Sequence, residues 1–192
     1  MRFKSIKQFL IGIAIGLFVL NIGSFFKSSQ TREEAIYAQH QEFLTKIAPV
    51  ALELQEEFGI LPSISMAQAS LESEWGQSQL AAEFNNYYGI KTDSDNPDDF
   101  VILPTKEFYD GVYHTVEQKF ARYSSFEESM REHAILMQEG TSENKDRYKG
   151  VLDAEDYSQA ADQLLASGYA TDPSYAISIK KVVENWNLNR YD

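Results

Sequence analysis

Apolar residues recur three or four positions apart along most of this 192-residue chain, which is the spacing of one face of an α-helix. The spacing is lost over residues 91–122, where Asp, Asn, Pro and β-forming residues mix. Within that stretch Asp110-Gly111 separates two β-forming runs, Val101–Leu103 and Val112–Phe120, as in a hairpin with a two-residue turn. The pattern predicts a mainly α (α+β) domain with one small β-hairpin lobe and a cleft between the lobes.

Capping residues predict where the helices begin and end. The expected starts are the capping boxes Thr31/Glu34 and Ser125/Glu128, the residue Pro62, and Asp172 followed by Pro173. The expected ends are Gly76, Gly140 and Gly168. Pro49 is expected to kink or restart the helix that carries Phe43 and Leu54 on its apolar face.

Residues 9–26 read FLIGIAIGLFVLNIGSFF, a run of 18 residues without a charge. A helix of that length rises roughly 27 Å, close to the thickness of the hydrocarbon layer of a bilayer. Three basic residues precede the run, so the positive-inside bias predicts a single-pass signal-anchor at the cell membrane. Residues 1–8 are then a cytoplasmic tail, 27–39 a stalk and 40–192 an extracytoplasmic domain. The alternative is a cleaved signal peptide, which would release the domain as a secreted protein.

Composition excludes several classes of function. The 29 acidic residues outnumber the 17 basic ones, which argues against a nucleic-acid partner. The chain has no cysteine, so disulfides, thiolate zinc sites and a cysteine nucleophile are absent. The histidines His40, His114 and His133 are too widely spaced for a metal motif, and no phosphate-binding loop is present. We therefore expect no metal and no cofactor. We also predict that the chain is a monomer.

Glu72 is the carboxylate whose surroundings best suit acid catalysis. It lies in SISMAQASLESEWG, a helix built otherwise of small and apolar residues, next to Leu71 and three positions before Trp75. Partial burial of a carboxylate disfavours its charged form and raises its pKa, as a general acid near neutral pH requires. The alternative is an ordinary surface glutamate.

Residues 62–91, PSISMAQASLESEWGQSQLAAEFNNYYGIK, resemble the signature of glycoside hydrolase family 73, the bacterial peptidoglycan N-acetylglucosaminidases. The likeness continues in order through TKEF at 105–108, FARYSSFEES at 120–129 and GYATD at 168–172, and covers about residues 40–188. The resemblance implies a lysozyme-like helical domain with a small β lobe. It further implies hydrolysis of the β-1,4 bond between N-acetylglucosamine and N-acetylmuramic acid in peptidoglycan. Glu74 departs from the family, which often has glycine or another small residue there.

The resemblance also implies the roles of individual residues. Glu72 corresponds to the general acid, Glu107 to a second carboxylate on the hairpin, and Tyr169 to the tyrosine that stabilises the reacting sugar. Asn86, Tyr87, Tyr88 and Tyr123 are candidates for lining a sugar-binding groove, and ordinary packing is an equal alternative for these four.

Three questions stay open at this point. The second step of the reaction could be retaining, inverting or assisted by the substrate's own acetamido group. A lytic transglycosylase or muramidase, which cuts on the muramic acid side, is the nearest alternative enzyme. A catalytically silent wall-binding module is the alternative from another class of protein.

Overall fold

The computed structural model describes residues 4–109, 112–170 and 172–192, and for residues 4–29, 106–109 and 113 it describes the backbone alone. In chain order the described elements are α1 (Lys4–Phe58), α2 (Pro62–Glu72), α3 (Gln79–Phe84), β1 (Phe100–Tyr109), β2 (Val112–Ala121), α4 (Phe126–Glu139), α5 (Lys149–Leu152), α6 (Tyr157–Ala166), α7 (Tyr175–Trp186) and a 3₁₀ turn (Leu188–Tyr191). The described chain is thus mainly helical with a two-stranded antiparallel sheet. This confirms the predicted α+β class and is consistent with a lysozyme-like fold.

The chain divides into two units, residues 1–42 and 43–192. Where it is described, the first unit is the N-terminal part of α1, which includes the predicted stalk at 27–39. The predicted capping box at Thr31 and Glu34 is wrong, because α1 passes through both residues without a break. Gln30 instead donates a hydrogen bond to Glu34 one turn along the helix, at 3.3 Å.

The predicted membrane anchor consists of residues 9–26. The side chains of these residues are not among those described, so the anchor stays a prediction. Among the residues whose side chains the structure describes, no helix is both long enough and apolar enough to cross a bilayer.

The second unit is built around α2. Its first nine residues, 62–70, are all buried, and the helix packs against α4, α6, α7 and the 3₁₀ turn. Small residues such as Ser65, Ala67 and Ala69 let these neighbours approach closely, which explains why the segment is rich in serine and alanine. The N-terminal end of α2 is capped from the far end of the chain, where the Asp192 carboxylate accepts hydrogen bonds from the Ser63 N–H and hydroxyl. These hydrogen bonds fix the N-terminal end of α2 against the C-terminal residue.

The α2 helix ends at Glu72, four residues before the predicted end at Gly76. The three residues Glu74, Trp75 and Gly76 all have left-handed backbone, with φ of 51°, 59° and 78°. This turn places the Trp75 ring against Trp186 and against Phe43. The prediction was wrong because tertiary packing of Trp75 overrides the helical spacing. The consequence is that Glu72 lies at the end of the helix.

Replacing Glu74 by glycine is expected to stabilise the domain. A side chain at φ 51° strains the backbone, and the relief outweighs the extra chain entropy of glycine, for a net gain of about 0.5–1 kcal/mol. Thermal unfolding measures the change. The matched control is Glu83→Gly in α3, where glycine should instead lose about 1 kcal/mol. Equal losses for the two variants would contradict the strain at Glu74.

The strands β1 and β2 form the predicted hairpin. Their antiparallel register pairs Tyr109 with Val112, which leaves the predicted turn residues Asp110 and Gly111, outside the described residues, as the connection. At the other end, the Ala121 N–H donates to the Ile90 carbonyl at 2.9 Å. The base of the hairpin is thereby attached to the loop that follows α3.

The remaining helix ends confirm part of the capping prediction. Ser125 accepts a hydrogen bond from the Glu128 N–H at the start of α4, and Gly140 ends that helix as predicted. The prediction that Asp172 caps the last helix is wrong. Its carboxylate accepts from the Ser174 N–H in a turn that precedes α7, and the helix begins at Tyr175, after Pro173.

Candidate active site

Glu72 lies on the wall of a cavity of about 810 Å³. Its position at the last residue of α2 leaves the side chain exposed, although the preceding turns of the helix are buried. The rest of the wall comes from the loop after α3, the end of α4 and the loop that leads from it to α5, and the segments before and within α7: Tyr88, Gly89, Ile90, Lys91, Leu136, Thr141, Tyr148, Tyr169, Ala170, Asp172 and Tyr175. Four of these wall residues are tyrosines, so the cavity presents aromatic rings and hydroxyl groups beside the Glu72 carboxylate.

A chain of hydrogen bonds leads to the Glu72 carboxylate. The Tyr175 hydroxyl donates to Glu72 Oε1 at 2.9 Å, and Gln68 Nε2 donates to the Tyr175 hydroxyl oxygen at 3.2 Å. Gln68 is fully buried one turn before Glu72, and its Oε1 has no hydrogen-bond partner among the described residues. The carboxylate is thus held from inside the protein through Tyr175.

Desolvation by the surrounding protein raises the pKa of Glu72, and the hydrogen bond from Tyr175 partly offsets this by stabilising the carboxylate. The C-terminal end of α2 acts in the same direction as desolvation, because the negative end of a helix dipole disfavours a carboxylate. The proton is therefore retained to higher pH than on an ordinary glutamate, which suits a general acid.

Tyr169 is the aromatic centre of the cavity wall. Its ring lies 5.8 Å from that of Tyr175, 6.0 Å from that of Tyr148, and edge-on at 6.0 Å to the buried ring of His133. Burial, followed by the proximity of Tyr175 and Glu72, raises the pKa of Tyr169. Its hydroxyl accordingly stays protonated and can donate a hydrogen bond inside the cavity.

The loop that carries Tyr169 is held by Arg147. The guanidinium donates from Nε to the Ser167 carbonyl and from Nη2 to the Gly168 carbonyl, both at 2.9 Å. These two carbonyls immediately precede Tyr169. The arginine thereby fixes the backbone from which the Tyr169 ring projects.

Glu107 lies in β1, where its backbone pairs with that of His114. Its side chain falls outside the described residues, as does Thr171 of the GYATD segment. The approach of the Glu107 carboxylate to Glu72, which the family resemblance implies, stays a prediction.

The four candidate groove residues occupy different environments. Asn86 is buried and ties the loop together, donating to the Ile90 and Ala121 carbonyls at 2.9 Å. Tyr87 is buried, and its hydroxyl accepts from Lys46 at 2.9 Å. For these two residues the structure favours the packing alternative.

Tyr88 contributes to the cavity wall, although its hydroxyl is bound to Ser65 in the interior at 3.0 Å. Tyr123 is half-buried near Glu128 and Glu132; desolvation, followed by those two carboxylates, raises its pKa. It lies outside the set of cavity residues, so of the four only Tyr88 borders the site in the described structure.

Tyr175, Gln68 and Arg147 are site residues that the sequence analysis did not single out. Tyr175 meets Glu72 from 103 positions away in the sequence, so no local pattern connects the two residues. The one usable signal was the spacing of Gln68 and Glu72, which places both side chains on one face of a helix.

In the described part of the chain, no group of three or more His, Asp or Glu side chains converges as a metal site would require. The expectation that the reaction needs no metal or cofactor stays a prediction.

Comparison with known proteins identifies the family. A curated relative from Bacillus subtilis (strain 168), exo-glucosaminidase LytG, is 42% identical over 184 residues, which is 96% of this chain and 64% of the relative. A probable N-acetylmuramidase from Lactococcus lactis subsp. lactis (strain IL1403) is 34% identical over 79% of this chain and 35% of its own length. The chain thus spans between about one third and two thirds of the length of these relatives.

The solved catalytic domain of the autolysin Auto from Listeria monocytogenes superposes with a TM-score of 0.73 at 32% identity, over 85% of this chain and 97% of that domain. The family described as mannosyl-glycoprotein endo-beta-N-acetylglucosaminidase (Glucosaminidase) matches residues 48–188, well over half of the chain. This chain therefore belongs to the glucosaminidase family, glycoside hydrolase family 73, which its motifs resemble.

Proposed function

We propose that this chain hydrolyses the β-1,4 bond between N-acetylglucosamine and N-acetylmuramic acid in peptidoglycan, leaving N-acetylglucosamine at the new reducing end. The observation that carries the proposal is the Glu72 carboxyl group. It lies on a tyrosine-lined cavity wall, and its surroundings raise its pKa. A protonated carboxyl beside a sugar-sized cavity is what a glycosidase needs to activate its leaving group.

In the first step, Glu72 donates its proton to the glycosidic oxygen while the bond from that oxygen to the anomeric carbon breaks. The electron pair of the bond stays with the oxygen of the leaving sugar, and positive charge develops on the other sugar ring. Tyr169 supports the reacting sugar from the same wall, and its neutral hydroxyl supplies a hydrogen bond.

The second step depends on Glu107. Carboxyl groups about 5–5.5 Å apart fit a covalent retaining route, and a separation of about 6.5–9.5 Å leaves room for an inverting water. Attack by the substrate's acetamido group would make Glu107 an orienting group. Comparison of Glu107→Gln with Glu72→Gln on one peptidoglycan substrate tests the acetamido route, because an orienting carboxylate is partly replaced by an amide and Glu107→Gln should then lose less activity.

The matched family carries an endo description, whereas the Bacillus relative is named an exo-glucosaminidase. We infer endo cleavage for this chain. Large glycan fragments early in a digest support endo cleavage, and steady release of small products from chain ends contradicts it.

A muramidase is the second candidate, since the Lactococcus relative is named a probable N-acetylmuramidase. Both activities use one acidic side chain in a similar fold, so product analysis must separate them. Mass spectrometry of purified cell walls digested with the full-length protein is expected to find N-acetylglucosamine at the reducing ends. Reducing-end muramic acid would indicate a muramidase, and anhydromuramic ends a lytic transglycosylase. Intact walls would indicate a silent binding module.

We further propose that residues 9–26 tether the domain to the outer face of the cell membrane. The support is the length of this uncharged run and the basic residues ahead of it. Fractionation of cells that express the full-length chain should recover it in the membrane fraction. Recovery of a shortened chain from the medium would indicate a cleaved signal peptide instead.

A further inference from the structure

The hydrogen bonds behind Glu72 have a defined direction. Gln68 Nε2 donates to the Tyr175 oxygen, so the single proton of that hydroxyl is left to bind Glu72 Oε1. If the amide were reversed, the Tyr175 hydroxyl would face two oxygen acceptors with one proton to share. Because Gln68 is fully buried on α2, its amide is held in place while substrate enters and leaves.

This direction decides where the acid proton is placed. A neutral carboxyl group has one carbonyl oxygen, which accepts hydrogen bonds, and one hydroxyl oxygen, which donates. Since Tyr175 donates to Oε1, Oε1 is the carbonyl oxygen and the proton belongs on Oε2. Among the described residues no hydrogen bond to Oε2 competes for that proton.

We propose that Gln68 and Tyr175 are positioning residues that direct the acid proton of Glu72 onto Oε2, the oxygen that delivers it to the substrate. The inference rests on the proposed function, because it assigns the pair a role in that reaction. Without Tyr175 the proton can occupy either oxygen. Without Gln68 the Tyr175 hydroxyl is free to turn away from Glu72.

Other polar groups around Glu72 are unlike this pair. The cavity wall also carries Tyr88, Tyr148, Tyr169, Lys91 and Asp172. The raised pKa values of Tyr88 and Tyr169 keep those hydroxyls neutral. Neither donates to Glu72 in the described structure. Tyr88 binds Ser65 instead.

The first measurement is a titration of the Glu72 carboxyl by NMR in full-length protein carrying ¹³C-labelled glutamate, with the signal assigned by its loss in Glu72→Gln. Tyr175→Phe removes a hydrogen bond that stabilises the carboxylate, so the pKa of Glu72 should rise. Gln68→Met keeps the length of the side chain without its amide, and the pKa should rise by a smaller amount.

The second measurement is the pH profile of cell-wall cleavage. For Tyr175→Phe we expect kcat to fall roughly tenfold, the contribution of one hydrogen bond to a charged group, with KM little changed. The alkaline limb of the kcat profile should move to higher pH together with the titration of Glu72. A merely structural role would lower kcat without moving that limb.

Tyr157→Phe is the matched control, since Tyr157 donates to Glu184 at the surface, outside the cavity. It should leave both the titration of Glu72 and the pH profile unchanged. The proposal is overturned if the pKa of Glu72 is the same in Tyr175→Phe and Gln68→Met as in the wild type. If Tyr175→Phe fails to fold, the titration of Gln68→Met decides. The titration needs no substrate, so an inactive wild-type protein would count against the proposed function alone.

Discussion

Replacing Glu72 by glutamine is expected to slow glycan cleavage by about 10²–10⁴, the usual contribution of general acid catalysis. The amide has the size of the carboxyl group, and its oxygen can accept the hydrogen bond from Tyr175. It has no acidic proton for the leaving sugar. The initial rate at which purified peptidoglycan gains reducing ends measures the loss.

Glu74→Gln is the matched control, because Glu74 is exposed two positions further on and lies outside the set of cavity residues. That variant should cleave at the wild-type rate. A folded Glu72→Gln protein with nearly wild-type turnover would show that Glu72 is not the acid.

Glu72→Gln should leave the protein as stable as the wild type, or slightly more stable, at neutral pH. The pKa of Glu72 is raised in the folded state, so ionisation above that pKa destabilises the fold relative to the unfolded chain. Glutamine removes this effect. The two proteins should therefore have the same unfolding temperature at low pH, where Glu72 is neutral. The unfolding temperature of the variant should become the higher one as the pH rises through the raised pKa.

Gly140→Ala is expected to cause the largest loss of stability among the substitutions considered. Gly140 ends α4 with φ 69° and ψ −149°, a backbone region that is nearly exclusive to glycine. An added Cβ would also lie 2.4 Å from the carbonyl oxygens of Asn144 and Lys145, and backbone atoms cannot swing aside as a flexible side chain can. We expect a loss of about 3 kcal/mol or more in the free energy of unfolding, measured in urea.

Gly59→Ala separates the effect of backbone strain from the effect of the close approach of an added Cβ. Gly59 also has a positive φ, 76°, but nothing lies within 4 Å of an added Cβ. Only the backbone strain remains, and we expect a loss of about 1–2 kcal/mol. Equal losses at the two glycines would contradict the close approach at Gly140.

The parts of the fold that could be predicted from sequence are those encoded locally. The Asp110-Gly111 pair indicated a hairpin, and the register of β1 and β2 confirms it. Pro62 and Gly140 bound helices as expected, because their effects on the backbone act within a few residues.

The failures have tertiary causes. The end of α2 depends on the packing of Trp75 against Phe43 and Trp186, and those two residues are distant in sequence. The helix α5 was missed for a different reason, because its four residues are too few to show helical spacing.

The candidate site likewise contains residues that local motifs predict and residues that only tertiary packing brings to it. Glu72 and Tyr169 lie within recognisable motifs, and they line one cavity. The contacts of Tyr175 and Arg147 with the site depend on the packing of α7 and on the loop before it, which no local pattern encodes.

Digestion of purified peptidoglycan in ¹⁸O-labelled water tests the central claim most directly, because the label marks the carbon at which water completes the reaction. The full-length protein is expected to place one ¹⁸O atom on the anomeric carbon of N-acetylglucosamine at each new reducing end, with the signal absent or strongly reduced for Glu72→Gln. Label on N-acetylmuramic acid, or unlabelled anhydromuramic ends, would contradict the account.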